Sequence, residues 1–290
     1  MKIKYLEMKK KILLPTDFSK NSWNTIVYAS ELYKNDECEF YLLNAFKFEV
    51  VNLGINTPGD SEDRLYKISK SKSEAQLEKV LEMINMRNLD YKHTYSIHAV
   101  NGSPLDAIKD FIETKDIELI IIGNKGDTDA LEIVYGRNAI SMMEKIRNCP
   151  VLVIPHHLQY KDPKEIVFPT SYKTHFKRRE LKFIFQISKL TNSPVRVLHV
   201  SKSNSLDAEQ KEKKALLEEC LDGIVYTFHW LDFDNVQTGL HLFVQSRGSE
   251  MIVFINKKHA FFDTLFSKPL VKELGQHAKV PVLVLHDLRN

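Results

Sequence analysis

The chain has 290 residues, 43% hydrophobic and 27% charged, and a net charge of only +3. That length exceeds what one hydrophobic core usually serves, so two domains are expected, and the composition excludes a fibrous or disordered chain. The near-balanced charge, without a long basic stripe, excludes nucleic acid as the first partner to consider, and no apolar run is long enough for a membrane-spanning helix.

The opening MKIKYLEMKKKILLPTD is basic but has neither an apolar core nor a small-residue cleavage site. It does not read as a signal peptide, and a cytoplasmic location is expected. Its first seven residues read as an extension ahead of an alternative start at Met8. Cys38, Cys149 and Cys220 lie far apart and form no C-x-x-C pair, which suits structural thiols in a reducing compartment, without zinc or disulfides.

In chain order, KKILLP is an apolar strand that runs into the turn PTDFS and then a helical pattern to Lys34. FYLLNAF is the next strand, and KSKSEAQLEKVLEMINMRNLD is an amphipathic helix with Leu77, Val80, Leu81 and Ile84 on one face. HAVNGSPLDAIKDFIETKDIELIIIG reads as strand, turn, helix and strand, and NCPVLVIP closes the series on a short strand led by proline. The same order then repeats. KEIVFPTSYK matches KKILLPTDFS, VRVLHVS matches the second strand, HWLDFDNVQTGLHLFVQSRGSEMIVFI matches the fourth-strand region, and KVPVLVLHD matches the closing strand. Pro15 corresponds to Pro169 and Pro150 to Pro281, so the second repeat is the shorter.

Five strands alternating with helices in each half predict two tandem α/β domains, each a five-stranded, mainly parallel sheet with helices on both faces. The boundary is expected near residue 160, in the polar segment His157 to Pro163, which gives domains over 1–160 and 161–290. Ligands of such sheets bind beyond the carboxyl ends of the strands, where strand order reverses. The first turn, Pro15 to Ser19, and the stretch GNKGDTDALEIVYGRN, Gly123 to Asn138, lie at those ends.

Strand, glycine turn, loop, glycine and helix make a cradle that phosphate oxygens can approach closely. The alternative is that Gly123, Gly126 and Gly136 are turns and caps with no ligand. Asp17 could accept hydrogen bonds from a ribose or an adenine amino group, or Asp17 or Ser19 could serve as a local turn or helix cap. Asp127 and Asp129 would repel a triphosphate unless a magnesium ion bridged them.

The PTDFS turn, NGSPLDAI, the closing NCPVLVIP and VPVLVLH, and the pattern Gly-x2-Gly-x9-Gly resemble the universal stress protein family in a tandem, two-domain form. The resemblance implies a Rossmann-like fold of the adenine nucleotide alpha hydrolase type and a stress-response regulator that binds ATP or AMP and acts by association, not turnover. It implies that Pro15, Thr16, Asp17 and Ala45 border the adenosine. Ile122 and Gly123 would lie beside the ribose, and Gly126, Gly136, Arg137 and Asn138 would surround the phosphates. The family pattern has Ser or Thr after the third glycine, where this chain has Arg137, itself a phosphate ligand but a bulkier one. The closing strands are expected to pair the two domains within one chain, and a homodimer is open.

In the second repeat INKK, Ile255 to Lys258, stands where the first has GNKG, FSK at Phe266 to Lys268 replaces the third glycine, and Ser171 replaces Asp17. A nucleotide is therefore expected in the first domain only, with the second serving as a structural or interaction partner. A scaffold that binds no nucleotide in either domain is the competing reading. No G-x-S-x-G elbow and no P-loop occur, so an enzyme is not expected. His199 and His286 fall at strand ends and read as hydrogen-bonded structural histidines, the adjacent His156 and His157 do not form a metal site, and FFDTLF after His259 reads as core or a partner surface.

Overall fold

The computed structural model describes residues 9–47, 58–87, 91–126, 135–156, 158–203, 205–256 and 280–286. Asp127, Asp129, His157, Lys257, Lys258, the FFDTLF segment and Phe266 to Lys268 lie outside them. The chain divides into two compact units, Met1–Ile122 and Gly123–Asn290. Among the described residues no helix is long and apolar enough to cross a membrane.

In the first unit the elements alternate as β1 (Lys10–Pro15), α1 (Lys20–Leu32), β2 (Cys38–Phe46), α2 (Pro58–Met86), β3 (Thr94–Asn101), α3 (Pro104–Lys115) and β4, which spans Leu119–Gly123 and so ends on the first residue of the second unit. The strands lie in the order β3-β2-β1-β4 and all pair in parallel. Ile12, Leu13 and Leu14 are consecutive in β1 and all buried, so both faces of the sheet are covered. Side-chain chemistry sets the helix starts. Ser19 accepts from the Ser22 amide at 3.1 Å to cap α1, and Ser103 caps α3 ahead of Pro104. α3 then ends on Asp116, which takes a left-handed conformation. In α2, Leu77 and Val80 are buried while Leu81 and Ile84 are half-buried, which is the expected apolar face.

The second unit holds α4 (Arg137–Lys145), β5 (Val151–Ile154), β6 (Ile166–Pro169), α5 (Lys182–Thr191), β7 (Val195–Val200), α6 (Ala208–Leu221), β8 (Tyr226–Leu231), α7 (Val236–Arg247), β9 (Met251–Asn256) and β10 (Val282–His286). The strand order is β5-β10-β9-β6-β7-β8, parallel except that β10 runs antiparallel to β5. Each sequence repeat thus supplies five strands to a mainly parallel, Rossmann-like α/β fold. The compact division does not coincide with the repeat boundary near residue 160. The last helix and strand of the first repeat, α4 and β5, belong to the second unit, because β5 is hydrogen-bonded to β10 from Val151↔Val284 to Val153↔Val282. The second repeat owes its shortness partly to α6, which has 14 residues where α2 has 29.

At the amino end of β6 the buried carboxylate of Glu165 collects four donors. Arg196 Nε (2.8 Å), Arg247 Nε and an Arg247 terminal nitrogen (2.8 and 2.9 Å) and Ser249 Oγ (2.6 Å) all reach it. The cluster ties β6, β7 and the end of α7 together.

Candidate functional site

In the first unit, strand order reverses between β1 and β4, which run side by side with Ile12↔Leu119 and Leu13↔Ile120 in register. The expected site residues Pro15, Thr16, Asp17, Ala45 and Ile122 all fall at the carboxyl ends of β1, β2 and β4. Pro15 is level with Leu43 in β2, and Ala45 is half-buried opposite Val100.

The turn after β1 is held from within. Thr16 is buried; its amide donates to the Leu43 carbonyl at 2.8 Å, and its hydroxyl accepts from the Phe18 amide at 3.0 Å. Phe18 takes φ 65°, an unusual left-handed conformation for so bulky a residue, and the Thr16 hydroxyl bond helps to fix it. The local roles are divided between the two polar residues. Ser19 caps the helix, while Asp17 accepts the Ser19 amide at 3.0 Å in a local turn and its carboxylate is exposed to solvent.

Two residues that no motif points to complete the turn. Asn44, buried, donates from its side-chain amide to the Thr16 carbonyl at 2.7 Å, and its side-chain oxygen accepts from Ser73 of α2 at 2.7 Å. The only signal in the sequence is an amide in an otherwise apolar strand, FYLLNAF.

In the second unit the glycine stretch begins at Gly123 and Asn124. The Asn124 amide donates to the Ile154 carbonyl at 2.9 Å, and the Asn124 carbonyl accepts from Gly136 at 2.7 Å. This second bond brings the first and third glycines of the pattern to one place. It also engages the Gly136 amide, so that amide is not available to a ligand. Gly126 is half-buried at the last described position before the loop. Gly136 is the N-cap of α4, with no side chain capping the helix and no acidic residue in its first turn. Arg137 and Asn138, its first two residues, are exposed. Free amides at a helix start attract an anion, and here nothing in the first turn competes for them. Asp127 and Asp129 lie outside the described residues; among those described, the stretch carries two cationic side chains, half-buried Lys125 and exposed Arg137.

The second repeat copies the turn and fills the space around it. Thr170 donates its amide to the Leu198 carbonyl at 2.8 Å and its hydroxyl accepts from Tyr172 at 3.1 Å; Tyr172 takes φ 56°. His199 occupies the place of Asn44, with Nδ1 2.8 Å from the Thr170 carbonyl. Its ring stacks on buried Tyr172 at 5.0 Å and meets Trp230 edge-on at 4.6 Å. Gln210 of α6 donates to the Ser171 carbonyl at 2.9 Å. Ile255, buried, stands where Gly123 stands in the first repeat.

His199 is thus the hydrogen-bonded structural histidine expected. His286 is not. It is only 3% exposed, and neither ring nitrogen has a partner among the described residues. Burial and, next, the positive charge of Arg147 push its pKa down to about 3. The ring sits at the last position of β10, where the strand ladder supplies backbone bonds but no polar side-chain partner.

The profile of the universal stress protein family matches residues 8–155. A universal stress protein of Methanocaldococcus jannaschii is 29% identical over 145 residues, 50% of this chain and 81% of that protein. The crystal structure of a universal stress protein from Archaeoglobus fulgidus superposes with a TM-score of 0.67 at 19% identity, covering 95% of this chain and 96% of the other. A protein of Pseudomonas aeruginosa UCBPP-PA14, described as a universal stress protein, gives a TM-score of 0.58 at 12% identity, with 96% and 94% covered. These last two likenesses concern the fold, whereas the profile covers half of the sequence. The chain belongs to the universal stress protein family.

Proposed function

We propose that the chain is a cytoplasmic regulatory protein that binds one adenine nucleotide, ATP or AMP, through its first repeat and acts by association with a partner and not by turnover. The observation that carries the reading is the Gly136 to Asn124 bond. It closes the loop so that the uncapped start of α4 and the exposed Arg137 and Asn138 stand together at the end of the glycine stretch. Amides of the first turn and the Arg137 guanidinium would hold phosphate oxygens, with Gly126 and Gly136 allowing close approach. Pro15, Thr16, Asp17, Ala45, Ile122 and Gly123 would receive the nucleoside, Asp17 through its exposed carboxylate. A magnesium ion would accompany a triphosphate and offset Asp127 and Asp129.

The filled surroundings of Ser171 in the second repeat, with Tyr172, His199 and Gln210 in place and Ile255 for a glycine, support a single site per chain.

Thermal melting with Mg-ATP, ATP and AMP tests the proposal. Ligand at 100 times its dissociation constant adds about 2.7 kcal/mol to the folded state, a rise of a few degrees. A melting curve unmoved by millimolar nucleotide, with none carried through purification, would leave the non-binding scaffold as the reading. A shift that persists in Gly126→Val would move the site elsewhere.

A further inference from the structure

Asn256 and His286 end the neighbouring strands β9 and β10 and stand opposite one another in the ladder. Both side chains are buried. Asn256 is tied twice to the end of the first repeat. Its side-chain amide donates to the Met143 carbonyl of α4 at 2.9 Å, and its own carbonyl accepts from the Arg147 guanidinium at 3.1 Å. Arg147, two residues past α4, is otherwise exposed.

His286 has no anchor of this kind, because both ring nitrogens are buried without a partner among the described residues. β5, β9 and β10 bring no other charged side chain to it. Beside β5 the neighbouring titratable group is Cys149, buried with its thiol donating to the Pro150 carbonyl at 3.6 Å. The last turn of α4 carries Glu144 and Lys145, of opposite sign. Among the described residues the charge that acts on the ring is that of Arg147, which an imidazolium would repel.

We propose that Arg147, Asn256 and His286 form an acid-released latch. The neutral ring lets Arg147 stay on the Asn256 carbonyl at the end of β9, and a proton on it drives Arg147 and the end of α4 away from Asn256. A buried imidazolium needs a hydrogen-bond acceptor, and the latched arrangement offers none among the described residues. Opening gives it water. The latched form therefore binds the proton poorly, with the ring held at about 3, while the open form binds it near the ordinary value of 6.5. Acid favours opening throughout the window between those values, by about ten-fold for each pH unit below 6.5. The latch requires no nucleotide and stands or falls apart from the binding site.

Hydrogen exchange of residues 138–148 and 251–256, measured at pH 7.5 and 5.5 and normalised to intrinsic rates, tests the latch. The expected result in the unmodified chain is an approximately ten-fold loss of protection at the lower pH, confined to these segments. His286→Leu should keep the same protection at both pH values. An unchanged protection in the unmodified chain, or the same loss in His286→Leu, overturns the proposal. Should His286→Leu fail to fold, the imidazole resonances of the unmodified chain decide: a His286 ring that titrates below pH 5 in the native protein supports the latch, and a midpoint near 6.5 overturns it.

Discussion

Asn44 and His199 do the same work in the two repeats: each side chain reaches the carbonyl of the turn threonine, Thr16 at 2.7 Å and Thr170 at 2.8 Å. The two turns share the amide bond back to the second strand and the left-handed residue two positions on. They part in what surrounds them. Asn44 is small and leads on to Ser73, whereas His199 is large and packs between Tyr172 and Trp230. Asn44→Leu should leave the Thr16 carbonyl and the Ser73 hydroxyl buried without their partner, at a cost of about 2 kcal/mol. Urea denaturation should show this as a lowered midpoint with an unchanged slope.

Glu165 is the electrostatic centre of the second unit. Burial works to raise its pKa, but the hydrogen bonds from Arg247, Ser249 and Arg196 outweigh it and hold the carboxyl down to about 2, against an ordinary 4.5. A depressed carboxylate stabilises the fold above 4.5, and the benefit is lost as pH falls from there through about 2. Glu165→Gln is expected to cost roughly 2 to 3 kcal/mol at neutral pH. The difference between the two proteins in denaturant midpoint should shrink toward pH 2.5. A constant difference from pH 7 to 2.5 would show that packing, not charge, sets the cost.

Gly239 lies inside α7, where alanine would ordinarily favour the helix by about 1 kcal/mol. Here a Cβ would come within 2.7 Å of Val200 Cγ1 and 3.2 Å of Leu231 Cδ2. The helix approaches β7 and β8 closely enough that the missing methyl group is a packing requirement. Gly239→Ala should destabilise the chain by about 1 to 3 kcal/mol despite its better propensity. A rise in melting temperature would refute the close approach.

Arg137 opens α4, where a carboxylate would favour the helix and disfavour a phosphate. Arg137→Glu therefore separates stability from binding by sign. The variant should melt no lower than the original chain while binding ATP at least about ten-fold more weakly by calorimetric titration. Equal affinity in the two proteins would remove Arg137 from the site.

The repeat, the family and the order of strands and helices are legible in the sequence, because alternating apolar runs, proline-led strands and glycine spacing are local properties of the chain. The sequence also placed Pro15 to Asp17, Ala45 and Ile122 correctly at strand ends, since that follows from parallel pairing. Which polar groups meet is set by the packing of the folded chain. Asn44 with Thr16 and Ser73, Asn124 with Gly136, and Glu165 with Arg196 and Arg247 are pairs whose partners are distant in the chain. Nothing local marks His286 as unpartnered while His199 is bonded; both follow a Val-Leu pair near the end of a strand. The compact division at Gly123 has the same origin. β5 satisfies its hydrogen bonds with β10, and the cohesion of a sheet follows the ladder and not the order of residues along the chain.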